Sequence, residues 1–322
     1  MARAKLSATE KFVDGVESGA SAGGEEAGSF NYAVAVNRWS MRLLGLWPLD
    51  ARLSYLKCSV ILGLMIVVML PVVTCLFMIT DWVAIMNQVN MTLPSLPMFV
   101  RFLVMKIKAQ NLRVVLSSMS HDWANYRHLS VRNRRTMFHY AKRGRRINVV
   151  CIVWMILTIA VYVITPFGNT WLNSYPGNAT GRRLPVDAYF PFSLEQPYVY
   201  EMIYVVQSIT GVIGGMVIFS VDCFVCVIVF HACGQLEVLA ATLERHYDAV
   251  EHDRKDARSH TCACLSCIVK RHVHIINYMD VVEKSFNNFI LCQLLATTVI
   301  LAFQGFQIVL VAGIMLISIQ QG

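Results

Sequence analysis

The sequence predicts an all-α protein, a polytopic bundle of transmembrane helices, and two observations carry this prediction. Apolar residues make up 56% of the 322 positions and charged residues only 15%, with a mean hydropathy of +0.52. Soluble domains carry about 25% charged residues. The charged residues are also absent from long stretches, and a helix needs about 20 apolar residues to cross the hydrocarbon core of a bilayer.

Five apolar stretches have the length of a membrane span. They cover about 58–80, 83–105, 147–167, 199–230 and 286–316. Pro71 in the first and Pro94 and Pro97 in the second are expected to bend their helices. The fourth and fifth stretches are longer than the bilayer requires, so we expect them to tilt or to extend beyond it.

The basic residues lie between these stretches on alternate sides. Seven Lys and Arg precede the first stretch, 11 lie from Lys106 to Arg146, and 7 lie in 231–285. The positive-inside rule therefore places the N-terminus and both of these loops in the cytosol. The turn at 80–83, the 168–198 loop and the C-terminus then lie outside. The net charge of +8 reflects this topology, so membrane lipid is an expected partner and nucleic acid is not.

Two glycosylation sequons occur in the chain. Asn178-Ala-Thr180 lies in the loop assigned to the outside, and we expect Asn178 to carry a glycan. Asn90-Met-Thr92 lies too close to the expected bilayer to be modified.

The start of the chain differs in composition from the rest. Residues 1–36 are predicted to be a disordered cytosolic tail, because Ala, Gly, Ser and Glu dominate there without apolar periodicity. The membrane domain then covers 37–322. At its start, Trp39, Leu43 and Leu46 share one face of a predicted short helix. That helix either lies in the membrane interface or packs as a plain cytosolic helix on the bundle, and the residues do not decide between these.

The 231–285 stretch predicts a cytosolic helical hairpin that continues into membrane helices. Apolar residues recur at helical spacing on each of its arms, so that each arm has one apolar face. These residues are Leu236, Leu239 and Leu243 on the first arm, and Ile275, Met279 and Val282 on the second. The polar segment 251–260 reads as the connecting loop.

Candidate ligand residues occur in the third and fourth spans. They are Thr158, Tyr162 and Thr165 in one weakly polar stripe, and Tyr200, Tyr204 and Ser208 at the start of the fourth span. An apolar pocket with a few hydroxyls and aromatic rings would suit small volatile molecules. The alternative is that these side chains pack against neighbouring helices, as most such stripes do, and the residues alone favour packing.

The remaining polar residues predict no catalytic or metal site. None of the ten cysteines lies in the 168–198 loop, so no extracellular disulfide is implied. The cluster of Cys262, Cys264 and Cys267 lacks the second paired half of a zinc site, and lipidated or small buried cysteines are the better interpretation. Asp222 is the sole carboxylate well inside an apolar stretch, and we expect it to face water or a polar partner. Because no catalytic or nucleotide-binding motif occurs, neither an enzyme nor a cofactor is predicted.

Several motifs, in order along 35–310, resemble those of insect odorant receptors, especially those of ants, bees and wasps. They are Asn37-Arg-Trp-Ser-Met-Arg-Leu-Leu-Gly-Leu-Trp-Pro48, Tyr189-Phe-Pro-Phe192, Pro197-Tyr-Val-Tyr-Glu201, His231-Ala-Cys-Gly-Gln-Leu-Glu-Val-Leu239 and His272-Val-His-Ile-Ile-Asn-Tyr278. Single motifs are weak, but the ordered set is specific.

This resemblance implies a seven-helix fold with a cytosolic N-terminus in the cell membrane of an olfactory neuron. It implies a tuning subunit that assembles with a co-receptor into a tetrameric ligand-gated cation channel. It further implies a pocket for a small volatile odorant in the outer membrane half, and an oligomer anchor in the cytosolic helices, where the 231–285 hairpin lies. Since nothing in the sequence corresponds to the sixth and seventh helices, we expect a truncated, non-conducting chain.

Three other functions remain open at this point. A gustatory-type receptor channel is the nearest, although the Trp-Pro and His-Ala-Cys-Gly-Gln motifs argue against it. A G-protein-coupled receptor would have an external N-terminus and, typically, a disulfide in the second outer loop. A secondary transporter would need paired broken helices or charges near the bilayer midplane, and Asp222 alone is thin support.

Overall fold

A computed structural model of the chain describes residues 24–50, 54–172, 184–192, 198–248 and 264–321. Within these ranges every regular secondary-structure element is a helix. The helices are α1 (Gly24–Leu43), α2 (Ser54–Met78), α3 (Trp82–Thr92), α4 (Ser95–Ile107), α5 (Ala109–Ala124), α6 (Val131–Leu172), α7 (Val199–Asp248) and α8 (Leu265–Gln321), with a 3₁₀ turn at Tyr126–His128.

Four of the described helices are long and apolar enough to cross a membrane. They are α2, Val131–Thr165 of α6, Val199–Arg245 of α7 and Leu265–Leu310 of α8. The predicted all-α membrane architecture is therefore confirmed. The predicted hairpin arms are continuous with α7 and α8, while the predicted loop at 251–260 lies outside the described residues.

The second expected span, 83–105, consists of two helices instead of one bent helix. Asp81 caps the first of them, α3, because its Oδ2 accepts a hydrogen bond from the Ala84 backbone N–H at 2.9 Å. Helix α3 ends at Thr92 and α4 begins at Ser95. Pro94 lies between them and has no backbone N–H to donate to the carbonyls of α3, so the hydrogen bonds of α3 end there although Leu93 itself keeps helical backbone angles. The bend that was expected at this proline is thus a break.

The chain divides into two compact units. The first comprises the described parts of Met1–Arg52, Met105–Ile152 and Ser220–Asn287, and the second those of Leu53–Val104, Val153–Phe219 and Asn288–Gly322. The first unit has an aromatic core, in which Trp47 meets Phe224 edge to face with ring centroids 6.1 Å apart.

Helix α1 contradicts the predicted disorder over residues 24–36. Residues 1–23 are outside the described ranges, but 24–36 are helical, because Phe30, Ala33 and Val34 recur at helical spacing and are buried. The helix ends in a Schellman turn, in which Leu46 N–H donates to Met41 O at 2.8 Å and Gly45 has a φ of 66°. Leu46 therefore lies past the helix and is buried, rather than sharing the exposed face of Trp39.

Candidate ligand site

The first turns of α7 in the second unit carry a polar and aromatic face. Tyr204, Gln207, Ser208 and Gly211 follow a spacing of three and four residues, which puts them on one side of the helix. Gln207 is 3% exposed, and Tyr204 and Ser208 are half-buried. This face is therefore turned into the unit and not into its surroundings.

Tyr162 of α6 packs onto this face because two glycines leave room there. A Cβ atom at Gly211 would lie 2.6 Å from Tyr162 Cε1, and one at Gly215 would lie 3.2 Å from Ile159 Cδ1. Small residues let membrane helices approach closely. The Gly211–Gly215 pair thus seats α6 against α7 within the second unit.

A hydrogen bond fixes the same two helices from the α7 side. The hydroxyl of Tyr204 donates to the Val163 carbonyl at 2.6 Å. Tyr200 lies one turn earlier, with its ring centroid 6.0 Å from that of Tyr204. These tyrosine rings are thereby held in place before any ligand binds.

Ser208 supplies an unused polar group beside these rings. Its hydroxyl is buried and has no hydrogen-bond partner among the described residues. A hydroxyl can both donate and accept, and leaving it unpaired costs on the order of 1–3 kcal/mol. A ligand that offers one hydrogen-bonding group next to an apolar body would remove that cost.

Two buried glutamines tie the segment 184–192 to the helices of the second unit. Gln207 accepts from the Val186 N–H at 3.3 Å and donates to the Val186 carbonyl at 3.1 Å. Gln88 of α3 donates to the carbonyls of Asp187 at 2.8 Å and Val72 at 3.0 Å. The segment therefore lies against the α7 face that carries Tyr204 and Ser208.

Of the six predicted ligand residues, Tyr162 packs on the α7 face that carries Tyr204 and Ser208, and Tyr200 adjoins the Tyr204 ring. Thr158 and Thr165 are exposed, and the Thr158 hydroxyl bonds to a carbonyl of its own helix, that of Trp154, at 2.9 Å. Tyr162 and Tyr204 also pack against neighbouring helices, as the alternative interpretation expects. Sequence reasoning missed the two glutamines as contacts of the 184–192 segment.

The six predicted anchor residues differ in burial. Ile275 and Val282 are buried within the chain. Leu236, Leu243 and Met279 are exposed, while Leu239 is half-buried. The arm of α8 also exposes a second apolar stripe, which consists of Leu265, Val269, Val273 and Ile276.

A carboxylate between two imidazoles joins three helices of the first unit. Asp122 of α5 lies 2.9 Å from His231 Nε2 of α7 and 2.9 Å from His274 Nε2 of α8. Burial raises the pKa of the Asp122 carboxyl, but the hydrogen bonds and charges of the two histidines outweigh it and hold that pKa below its usual range. Sequence reasoning did not find this cluster.

The described residues among the other candidates form no metal site. Among the described His, Cys, Asp and Glu residues, no group of three has the spacing of a metal site. Cys264 and Cys267 are half-buried, and Cys262 lies outside the described ranges, as does Asn178. Asp222 is half-buried in the first unit.

A family model matches most of the chain. The model, described as 7tm Odorant receptor, matches residues 81–320. Among curated relatives, odorant receptor 13a of Drosophila melanogaster is 21% identical over 216 residues, which are 66% of this chain and 49% of the relative. The chain thus spans about half the length of the curated relative that it matches.

Solved structures share the fold. The insect olfactory receptor OR5 of Machilis hrabei superposes with a TM-score of 0.67 at 13% identity, over 86% of this chain and 72% of that one. Its complex with eugenol gives a TM-score of 0.62 at 15% identity, over 81% and 68% of the two chains. These identities are low, so the likeness concerns the helical fold.

Proposed function

Because this chain belongs to the 7tm odorant receptor family, whose model matches residues 81–320, we propose that it is a tuning subunit that binds a small volatile molecule against the Tyr204–Ser208 face of α7. The family consists of receptors rather than enzymes, and the chain is a multi-pass membrane protein. No catalytic step is required for the proposed role.

The buried Ser208 hydroxyl is the observation that supports this position for the ligand. It has no protein partner in the described part of the chain, and the half-buried rings of Tyr162 and Tyr204 lie on the same side of α7. Rings and one hydroxyl together fit an apolar molecule with a single polar group. Charged ligands find no counter-ion among these residues.

Ligand titration on variants of the purified chain in detergent tests the proposal. The panel would contain volatile phenols, alcohols and esters, beginning with eugenol, which the Machilis hrabei receptor holds in its complex. Replacing Ser208 with Ala should weaken binding of hydroxyl- or carbonyl-bearing compounds roughly three- to tenfold, which corresponds to one hydrogen bond of about 0.5–1.5 kcal/mol. Tyr204→Phe should weaken it as well, because the bond that orients the ring is lost.

Ser285→Ala is the matched control. Its hydroxyl bonds at 2.6 Å to Val281 O of its own helix in the first unit, so binding should not change. Thr158→Val serves as a second comparison, since Thr158 is exposed. The proposal fails if no compound of the panel binds saturably, or if Ser208→Ala and Ser285→Ala behave alike.

We also infer a second role, subunit assembly into a cation channel with a co-receptor. The exposed apolar stripe Leu265, Val269, Val273 and Ile276 supports it, together with the exposed Leu236, Leu243 and Met279. Exposed apolar stripes of this kind mark surfaces that a membrane or another protein covers, and we assign this one to a protein because the basic residues of 231–285 favour a cytosolic position. All of these residues belong to the first unit, and a polar, basic unit of this kind is expected at the cytosolic side.

Co-expression with a co-receptor subunit tests the assembly. The double variant Val269→Ser/Ile276→Ser should reduce the fraction of co-purified co-receptor, while Val114→Ser/Val131→Ser should not. The control valines are equally exposed and lie in the same unit, but outside the stripe. Equal co-purification of both double variants would contradict an interface at the stripe.

A further inference from the structure

We propose that Asp122, His231 and His274 form a proton-binding site, and that binding of one proton tightens the junction of α5, α7 and α8 in the first unit. This inference does not depend on the ligand or on the proposed receptor function. It rests on the arrangement of the three side chains, on their burial and on the charges around them.

The hydrogen bonds assign the protons of the resting cluster. Asp122 Oδ2 meets His231 Nε2 at 2.9 Å, and Oδ1 meets His274 Nε2 at 2.9 Å. An ionised carboxylate only accepts hydrogen bonds, so both Nε2 atoms carry hydrogen. The Nδ1 atoms are then the positions that can take an additional proton, and neither existing bond has to break.

The solvent exposure of the three side chains identifies His274 as the residue that takes this proton. The side chain of His274 is 38% exposed, whereas those of His231 and Asp122 are 4% and 12% exposed. Water therefore reaches the His274 ring, while the carboxylate beside it is mostly shielded. When His274 takes a proton, its hydrogen bond to the Asp122 carboxylate becomes an ion pair. Such a pair is stronger where the dielectric constant is low.

The single carboxylate of the cluster balances the charge of one imidazolium, so we expect the uptake of one proton. The polar and titratable side chains around the cluster are Ser118, His121, Arg245, Arg271 and Tyr278. The hydrogen bond to Asp122 raises the pKa of His274, and it outweighs both burial and the Arg271 guanidinium, which donates to Gln235 Oε1 at 3.2 Å and opposes positive charge at His274. Tyr278 packs against His231 with the ring planes tilted by 59°, and its hydroxyl donates to Ile228 O at 3.3 Å, so it adds no charge.

The two imidazoles and the carboxylate do not make a metal site. Among the described residues no trio of His, Cys, Asp or Glu has metal-ligand spacing. Both Nε2 atoms also point at carboxylate oxygens at hydrogen-bond distance, which leaves no room for an ion between them. The proton is therefore the ligand that this geometry fits.

The sign of the pH dependence follows from the native ion pair. A histidine of the unfolded chain titrates near pH 6.5, and the native carboxylate keeps the His274 proton bound to higher pH. The stabilisation is then complete below about pH 6.5 and is lost as the pH rises above it. We therefore expect the junction of α5, α7 and α8 to be more stable at acidic pH than at mildly alkaline pH.

Thermal unfolding of the full chain in detergent, at about pH 6 and about pH 8.5, tests this inference. The wild-type midpoint should fall by on the order of 2 °C or more between the two conditions. Asp122→Asn keeps the size and one hydrogen-bond acceptor but removes the charge, and the neutral histidine that faces the amide nitrogen can accept from it in its other tautomer. The unfolding midpoint of this variant should therefore change between the two pH values by about 2 °C less than that of the wild type. Parallel profiles of the two proteins would overturn the inference.

Asp280→Asn is the control for that variant. It makes the same chemical change at an exposed carboxylate of α8, which is paired with Lys284 one turn on, and should leave the wild-type profile intact. His274→Gln covers the case that Asp122→Asn does not fold, since its amide can still donate to Asp122. The exposed His272→Gln is its control. If the unfolding midpoint of His274→Gln depends on pH as those of the wild type and of His272→Gln do, the inference is wrong.

Discussion

The side-chain amide of Gln207 pairs with the main chain of Val186 in both directions, with distances of 3.3 Å and 3.1 Å. The amide thus takes the place of a neighbouring backbone peptide for a segment that has no strand partner. Gln207→Leu would leave the Val186 N–H and carbonyl unpaired, at a cost on the order of 1–3 kcal/mol per buried group. We expect a lower melting temperature and faster amide exchange across 184–192, measured by hydrogen exchange and mass spectrometry.

Gln293→Leu is the matched control for this prediction. Gln293 is also a membrane-helix glutamine of the second unit, but its amide bonds to Thr297 of the same helix at 3.1 Å. Its loss should leave the exchange of 184–192 unchanged. If both variants exchange alike, the bidentate pair does not hold the segment.

Gly211 offers a test of the close packing between α6 and α7 in the second unit. A Cβ atom there would lie 2.6 Å from Tyr162 Cε1, so Gly211→Ala forces the ring to move. Overpacking of this kind costs about 1–3 kcal/mol. We expect a lower melting temperature, and weaker binding of any compound that contacts Tyr162.

Gly63→Ala, also in the second unit, should have the opposite effect on stability. Nothing lies within 4 Å of a Cβ atom at Gly63, which is in the middle of α2. Alanine there should stabilise the chain by about 0.4–1 kcal/mol, because the unfolded chain loses freedom. Equal destabilisation by both substitutions would mean that the contact with Tyr162 is not what matters.

The membrane helices could be predicted from the sequence, because an apolar stretch of sufficient length has few other structures available. The tyrosines of the candidate site could be found for a similar reason, since helical spacing places Tyr204 and Ser208 on one side. The beginning of α1 at Gly24 was missed, because the residues from Gly24 to Ser29, which precede Phe30, have the composition of a disordered tail. The helical spacing of Phe30, Ala33 and Val34 was the signal that could have predicted this helix.

Contacts between distant residues could not be predicted. Gln88 meets the main chain of Asp187, which is 99 positions away, and Asp122 meets His231 and His274 across 109 and 152 positions. Helical periodicity says which side of a helix a residue occupies, but it does not say which other helix faces that side. The residues next to a buried glutamine or aspartate in the sequence therefore do not indicate its hydrogen-bonding partner.

The pair Asn37 and Asn148 provides a third test, in the first unit. Both side chains are buried, and Asn148 Nδ2 donates to Asn37 Oδ1. Asn148→Ala should leave that oxygen without its donor and lower the free energy of unfolding by about 1–3 kcal/mol. Asn287→Ala, at an exposed position of the same unit, should change it by less than about 0.5 kcal/mol. Urea titration of both variants in detergent measures the difference, and equal midpoints would contradict it.

Glycosylation tests the proposed sidedness of the membrane helices. Basic residues cluster in 106–146 and 231–285, so the intervening 168–198 loop should reach the lumen of the secretory pathway, where Asn178 can be modified. Asn178→Gln should therefore migrate faster than the wild type on a denaturing gel, and enzymatic removal of glycans should abolish the difference.

The second sequon supplies the control within the same chain. Asn90 is half-buried in helix α3, and the hydroxyl of Thr92 bonds to the Gln88 carbonyl at 2.7 Å, so this sequon is not presented as an extended loop. Asn90→Gln should migrate like the wild type. A shift with Asn90→Gln and none with Asn178→Gln would reverse the assignment, since the 168–198 loop would then face the cytosol. The basic segments on either side of it would lie outside, against the electrostatic rule on which the orientation rests.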